Sequence, residues 1–66
     1  MDYCKIITQL RKQEGLTQQQ VADYLKIDRS NYSKYELGKL ELSIPMLIAL
    51  SNLYKVTTDY ILGLET

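Results

Sequence analysis

The residues of this 66-residue chain best suited to chemistry lie in one short run: Arg29, Ser30, Asn31, Ser33 and Lys34. Their side chains have little reason to pack. Together they offer a guanidinium fork, a carboxamide that both donates and accepts, two hydroxyls and an ammonium. That is the chemistry of recognition by hydrogen bond and charge, not of bond making. The parts of a catalyst are missing elsewhere. Histidine, the commonest general base, is absent. Asp23, Asp28 and Asp59 are scattered over cap and surface positions, with no glycine-rich phosphate loop, no nucleophile beside a base and no ligand cluster. Cys4 is the single cysteine, so one chain holds no disulfide, and a zinc site would have to be built from carboxylates. We therefore expect no catalytic residue, no metal, no cofactor and no enzyme.

Net charge gives little guidance, because eight Lys and Arg balance eight Asp and Glu. The order of the charges says more. Between Lys26 and Lys39, four basic residues (Lys26, Arg29, Lys34, Lys39) outnumber two acidic ones (Asp28, Glu36). From Leu40 onward a single basic residue, Lys55, stands against Glu41, Asp59 and Glu65. The positive part of the chain coincides with the polar run.

These side chains must be positioned by helices. A chain of this length makes one domain, and 45% apolar residues can supply its core. Tyr3, Ile7 and Leu10 recur at helical spacing between Tyr3 and Glu14, with Ile6 widening the stripe. Gly15 supplies a left-handed stop. Thr17 followed by Gln20 is a capping box, opening a second helix with Val21, Ala22 and Leu25 inward. Asp28 is expected to cap a third helix that ends at Gly38, with Tyr32 and Tyr35 pointing inward. Ser43 caps a fourth, tolerates Pro45 in its first turn, and buries Leu47, Leu50, Leu53 and Tyr54. Thr57 caps a fifth, which Gly63 closes after Ile61 and Leu62. No period-two alternation predicts a strand. The expected fold is all-α, a compact bundle of five short helices in one domain spanning 1–66. The start lacks a basic head followed by an apolar run, and no apolar stretch approaches the ~18 residues of a membrane span. A cytoplasmic protein without a membrane partner is expected.

The run Leu16-Thr17-Gln18-Gln19-Gln20-Val21-Ala22-Asp23-Tyr24-Leu25-Lys26-Ile27-Asp28-Arg29-Ser30-Asn31-Tyr32-Ser33-Lys34-Tyr35-Glu36-Leu37-Gly38-Lys39 resembles the phage repressor and Cro type (XRE-family) of helix-turn-helix. Ile7-x-x-Leu10-Arg11 before it and Thr57-Thr58-Asp59-Tyr60-Ile61-Leu62-Gly63 after it fit the same pattern, so the resemblance covers residues 3–64. It implies a lambda repressor-like DNA-binding domain with motif helices at 17–25 and 28–37. The function implied is sequence-specific binding of double-stranded DNA by a transcription regulator of the repressor kind, with the third helix in the major groove. An antitoxin or protein-binding regulator on the same fold is the alternative.

The resemblance also distributes roles. Arg29, Ser30 and Asn31 would reach base edges, with Lys34 one turn on and Ser33 between base and backbone. Arg29 suits guanine and Asn31 suits adenine, each by paired bonds. Thr17, Gln18 and Lys39 would contact phosphates. Arg11 and Glu36 match a structural ion pair between the first and third helices. Tyr60, Leu62 and Leu64 fall where the family places its dimer contact, so a homodimer on a palindromic operator is expected, and no small-molecule site is. Tyr32 and Tyr35 replace an aliphatic or indole side chain and read as core lids with their hydroxyls at the surface. Lys26 and Lys55 stand where the family has glycine. Left-handed backbone at either would cost roughly 1 kcal/mol.

Overall fold

Five helices make up the regular structure of residues 3–64, the part of the chain that the computed structural model describes. They are α1 (Tyr3–Gln13), α2 (Gln18–Leu25), α3 (Arg29–Glu36), α4 (Ile44–Tyr54) and α5 (Thr58–Ile61). No strand occurs among the described residues, and no helix is long and apolar enough to cross a membrane. Glu65, counted above with the acidic carboxyl end, lies outside the described residues.

Local chemistry sets the helix boundaries. The Thr17 hydroxyl accepts from the Gln20 amide at 3.1 Å while Gln20 Oε1 accepts from the Thr17 amide at 2.8 Å, satisfying two otherwise unpaired donors. Ser43 and Thr57 cap α4 and α5 by accepting from the amides of Met46 and Tyr60. All five helices end alike. Gly15, Lys26, Gly38, Lys55 and Gly63 are left-handed, and the next residue's amide returns to a carbonyl five positions back: Leu16 to Arg11, Ile27 to Ala22, Lys39 to Lys34, Val56 to Ser51 and Leu64 to Asp59, at 2.8–3.1 Å. Lys26 (φ 60°) and Lys55 (φ 56°) thus do the work of glycine and carry its steric cost.

Asp28 departs from expectation. It occupies the N-cap of α3 with extended backbone, yet its side chain makes no capping bond. The locked turn at Lys26 and Ile27 already fixes where α3 starts, and the Asp28 carbonyl accepts from Tyr32 at 2.9 Å.

In the packed domain α3 lies against α1 and α2, while α5 lies against α1 and α4. Ile7, Leu10, Val21, Ala22, Tyr32, Leu50, Tyr54 and Ile61 form the buried core. Leu25, Ile27, Tyr35, Leu47 and Leu53 pack around it, half-buried. Ala22, with no side chain beyond a methyl, lets α2 approach its neighbours closely and has no exposed surface.

Candidate nucleic-acid interface

The first turns of α3 carry Arg29, Ser30 and Asn31, all exposed, and Lys34 follows on the outer surface. Ser33 is half-buried. Tyr32 alternates with these and is fully buried, so one helix faces the core with an aromatic ring and the solvent with a polar, cationic row. Lys39 is exposed just past the left-handed Gly38. Thr17 and Gln18 stand at the start of α2, Thr17 exposed and Gln18 half-buried.

The other end of α3 is tied down. Glu36 Oε2 accepts from Arg11 Nε at 2.7 Å and from the Tyr32 hydroxyl at 2.5 Å. Its Oε1 accepts from Arg11 Nη2 at 3.2 Å and from Gln18 Nε2 at 3.0 Å. A carboxylate offers about four lone-pair positions, and here each is filled. The Glu36 side chain is only 6% exposed and that of Arg11 12%. Arg11 Nη1 also donates to the Leu16 carbonyl at 2.9 Å, fastening the α1–α2 loop to the same group. Burial opposes ionisation of Glu36, but the bonds from Arg11, Tyr32 and Gln18 outweigh it and hold its carboxyl below the usual 4.5. The bond to Glu36 raises Arg11 further above its ordinary value.

One expectation needs correction. The Tyr32 hydroxyl is not at the surface: the residue has no exposed area, and its hydroxyl turns inward because a buried carboxylate lies four residues on along the helix. Burial, with the bond to Glu36, pushes this phenol far above its ordinary range. Gln18, expected at a phosphate, also donates one amide hydrogen to Glu36. Spacing along the chain carried no signal for either bond, apart from the four-residue interval between Tyr32 and Glu36. Tyr54 belongs to the core, as its place on the buried face of α4 implies. Its hydroxyl is buried with no hydrogen-bond partner among the described residues, and burial pushes its pKa up to about 12.

At the carboxyl end, Tyr60 is 43% and Leu64 61% exposed, whereas Leu62 is half-buried. A second apolar surface lies along α4 and the segment before it. Ile44 is 72% and Ile48 49% exposed, one turn apart on α4, and Leu37 and Leu40 are exposed before it.

The helix-turn-helix family model matches residues 7–61 of this chain. "Uncharacterized HTH-type transcriptional regulator YobD" of Bacillus subtilis (strain 168) is 42% identical over 62 residues, which are 94% of this chain and 55% of that protein. The "SPbeta prophage-derived uncharacterized HTH-type transcriptional regulator YonR" of the same organism is 46% identical over 52 residues, 79% of this chain and 48% of the relative. "HTH-type transcriptional regulator ImmR", also from Bacillus subtilis (strain 168), is 40% identical over 63 residues, 96% of this chain and 50% of its own. The chain spans about half the length of these relatives.

Proposed function

We propose, since this chain belongs to the helix-turn-helix family, that it binds double-stranded DNA and represses transcription by laying α3 in the major groove. The observation that carries the reading is the outer row of α3. Arg29, Ser30, Asn31 and Lys34 are exposed on a helix whose opposite side is anchored by buried Tyr32 and Glu36. A rigid helix bearing unspent donors and acceptors is what base-edge readout requires, because each base pair shows a distinct donor and acceptor pattern in that groove. Arg29 and Asn31 read bases, with Ser30, Ser33 and Lys34 beside them. Thr17, Gln18 and Lys39 meet phosphates, which position the domain without reading sequence. The names of the relatives, all HTH-type transcriptional regulators, support the regulatory role. The chemistry assigned is binding, with no reaction.

One recognition helix reads few base pairs, and a neutral chain gains little nonspecific attraction. Two copies on a palindromic operator, with recognition helices about 34–36 Å apart, supply the missing information. The exposed Tyr60 and Leu64, with Leu62 behind them, form the contact.

Selection from a random DNA pool tests the reading and yields the operator. Arg29→Ala and Lys34→Ala then relax preference at particular positions by ~1–3 kcal/mol, whereas Lys39→Ala weakens all sequences alike. Failure to enrich any sequence, or unchanged base preference in the first two variants, refutes the readout. Sedimentation on full and half sites tests the pair; one protein per full site with equal affinity for both refutes it. A second reading, a regulator that binds a protein partner, draws support from the exposed Leu37, Leu40, Ile44 and Ile48. It takes precedence if the pool yields no operator.

A further inference from the structure

We infer that Glu36 is a positioning residue for DNA binding: it holds the Gln18 carboxamide in the orientation that offers an N–H, and never the oxygen, to a phosphate. The inference rests on the DNA reading above. Gln18 Nε2 donates to Glu36 Oε1 at 3.0 Å. A primary amide carries two hydrogens in one plane with its oxygen on the other side. Turning this amide over would press its oxygen against a carboxylate that is 6% exposed and has nowhere to move. The bond therefore fixes the amide face, and the second Nε2 hydrogen, uncommitted among the described residues, is directed away from Glu36. An untethered glutamine at the surface presents oxygen and nitrogen indifferently, and only nitrogen can bind phosphate.

The electrostatics of the cluster make the arrangement workable. A bare carboxylate under Gln18 would repel the phosphate it helps to bind. Arg11 removes that obstacle with its two-pronged contact at 2.7 and 3.2 Å, leaving the group beneath the amide without net charge. The Tyr32 hydroxyl draws on the other oxygen, Oε2, and leaves the Gln18 bond alone. The end of the recognition helix thus sets the backbone grip made from α2. This link between two DNA-contacting elements runs through a residue that touches no DNA.

The test is a double-mutant cycle on affinity for the selected operator and for a 20-base-pair duplex of unrelated sequence, each variant first shown to be folded by circular dichroism. Gln18→Ala is expected to weaken both duplexes about fivefold, the value of one hydrogen bond. Glu36→Gln is expected to weaken both by a similar factor, and to have no further effect in the Gln18→Ala background. Tyr54→Phe, which alters a core phenol that makes no hydrogen bond to Glu36 among the described residues, is expected to leave both affinities unchanged. Additive effects of Gln18→Ala and Glu36→Gln, or an equal loss in Tyr54→Phe, would overturn the inference and leave the DNA reading standing. A parent protein that binds neither duplex overturns the DNA reading itself. Should Glu36→Gln not fold, NMR of the unaltered protein decides. The Gln18 amide signals, identified by their loss in Gln18→Ala, are expected to show one hydrogen protected from solvent exchange and the other moving when operator is added. Two hydrogens that exchange equally and move together refute the proposal.

Discussion

At its start α3 exposes Arg29, Ser30 and Asn31, and its N-cap residue Asp28 makes no side-chain capping bond. At its end, seven residues on from Arg29, Glu36 is nearly sealed from solvent and accepts bonds from α1, α2 and its own helix. The difference separates two demands on one element. Groups that must bind something else are left to water, which satisfies them at little cost until a partner displaces it. Groups that must fix the helix are buried, where an unpaired charge costs several kcal/mol and geometry is correspondingly strict. Specificity of the exposed end depends on rigidity supplied by the other.

The sharpest way to break this comparison is to remove one side of the buried pair. Arg11→Ala or Glu36→Ala strands the remaining charge and should cost ~3 kcal/mol, measured by urea unfolding. A loss below about 0.5 kcal/mol would place the pair with ordinary surface ion pairs.

Acid and base should act on the same cluster. The folded-state pKa of Glu36 is depressed, so its contribution is present above the ordinary 4.5 and is lost as pH falls through the folded value. Tyr32 and Tyr54 are raised, Tyr54 to about 12, so their contribution is present below 10 and lost as pH climbs through the folded values. The urea midpoint should form a plateau between these limits and fall on both sides. A midpoint unchanged down to about pH 3 would contradict the role of Glu36.

The two core tyrosines sharpen the lesson further. Tyr32→Phe removes a donor from a buried carboxylate and should cost ~1–2 kcal/mol. Tyr54→Phe deletes a buried hydroxyl that bonds to nothing described and should be neutral or mildly stabilising. Equal losses would show that ring packing, not hydroxyl pairing, governs both sites.

Smaller effects belong to the turns. Lys26→Gly and Lys55→Gly relieve left-handed strain at φ 60° and 56°. Part of that gain is offset by the greater freedom of glycine in the unfolded chain, so each should stabilise by up to ~1 kcal/mol. Thermal melts that fall for either would mean that the lysine makes a contact outweighing its strain. Smallest of all, Arg29→Ala and Asn31→Ala should change stability by under about 0.5 kcal/mol, because exposed groups with no bond among the described residues hold nothing together. A larger change would erase the contrast between the two ends.

Helix starts and stops were determined by sequence alone, and for a physical reason. The hydroxyls of Thr17, Ser43 and Thr57 meet amides three residues away, and Gly15 and Gly63 turn the chain locally, so neighbours along the backbone suffice. The buried stripe was readable too, since Ile7, Leu10, Val21, Leu50 and Ile61 follow helical periodicity. Arg11 and Glu36 were recognised as a pair only through the family resemblance, as they stand 25 residues apart. What tertiary structure alone decided is how polar groups are spent. Gln18 turns to a carboxylate 18 residues away, the Tyr32 hydroxyl faces inward, and Asp28 caps nothing with its side chain. A hydrogen bond is directional and short-ranged. Its partner exists only once α1, α2 and α3 have packed, so no local pattern could announce it.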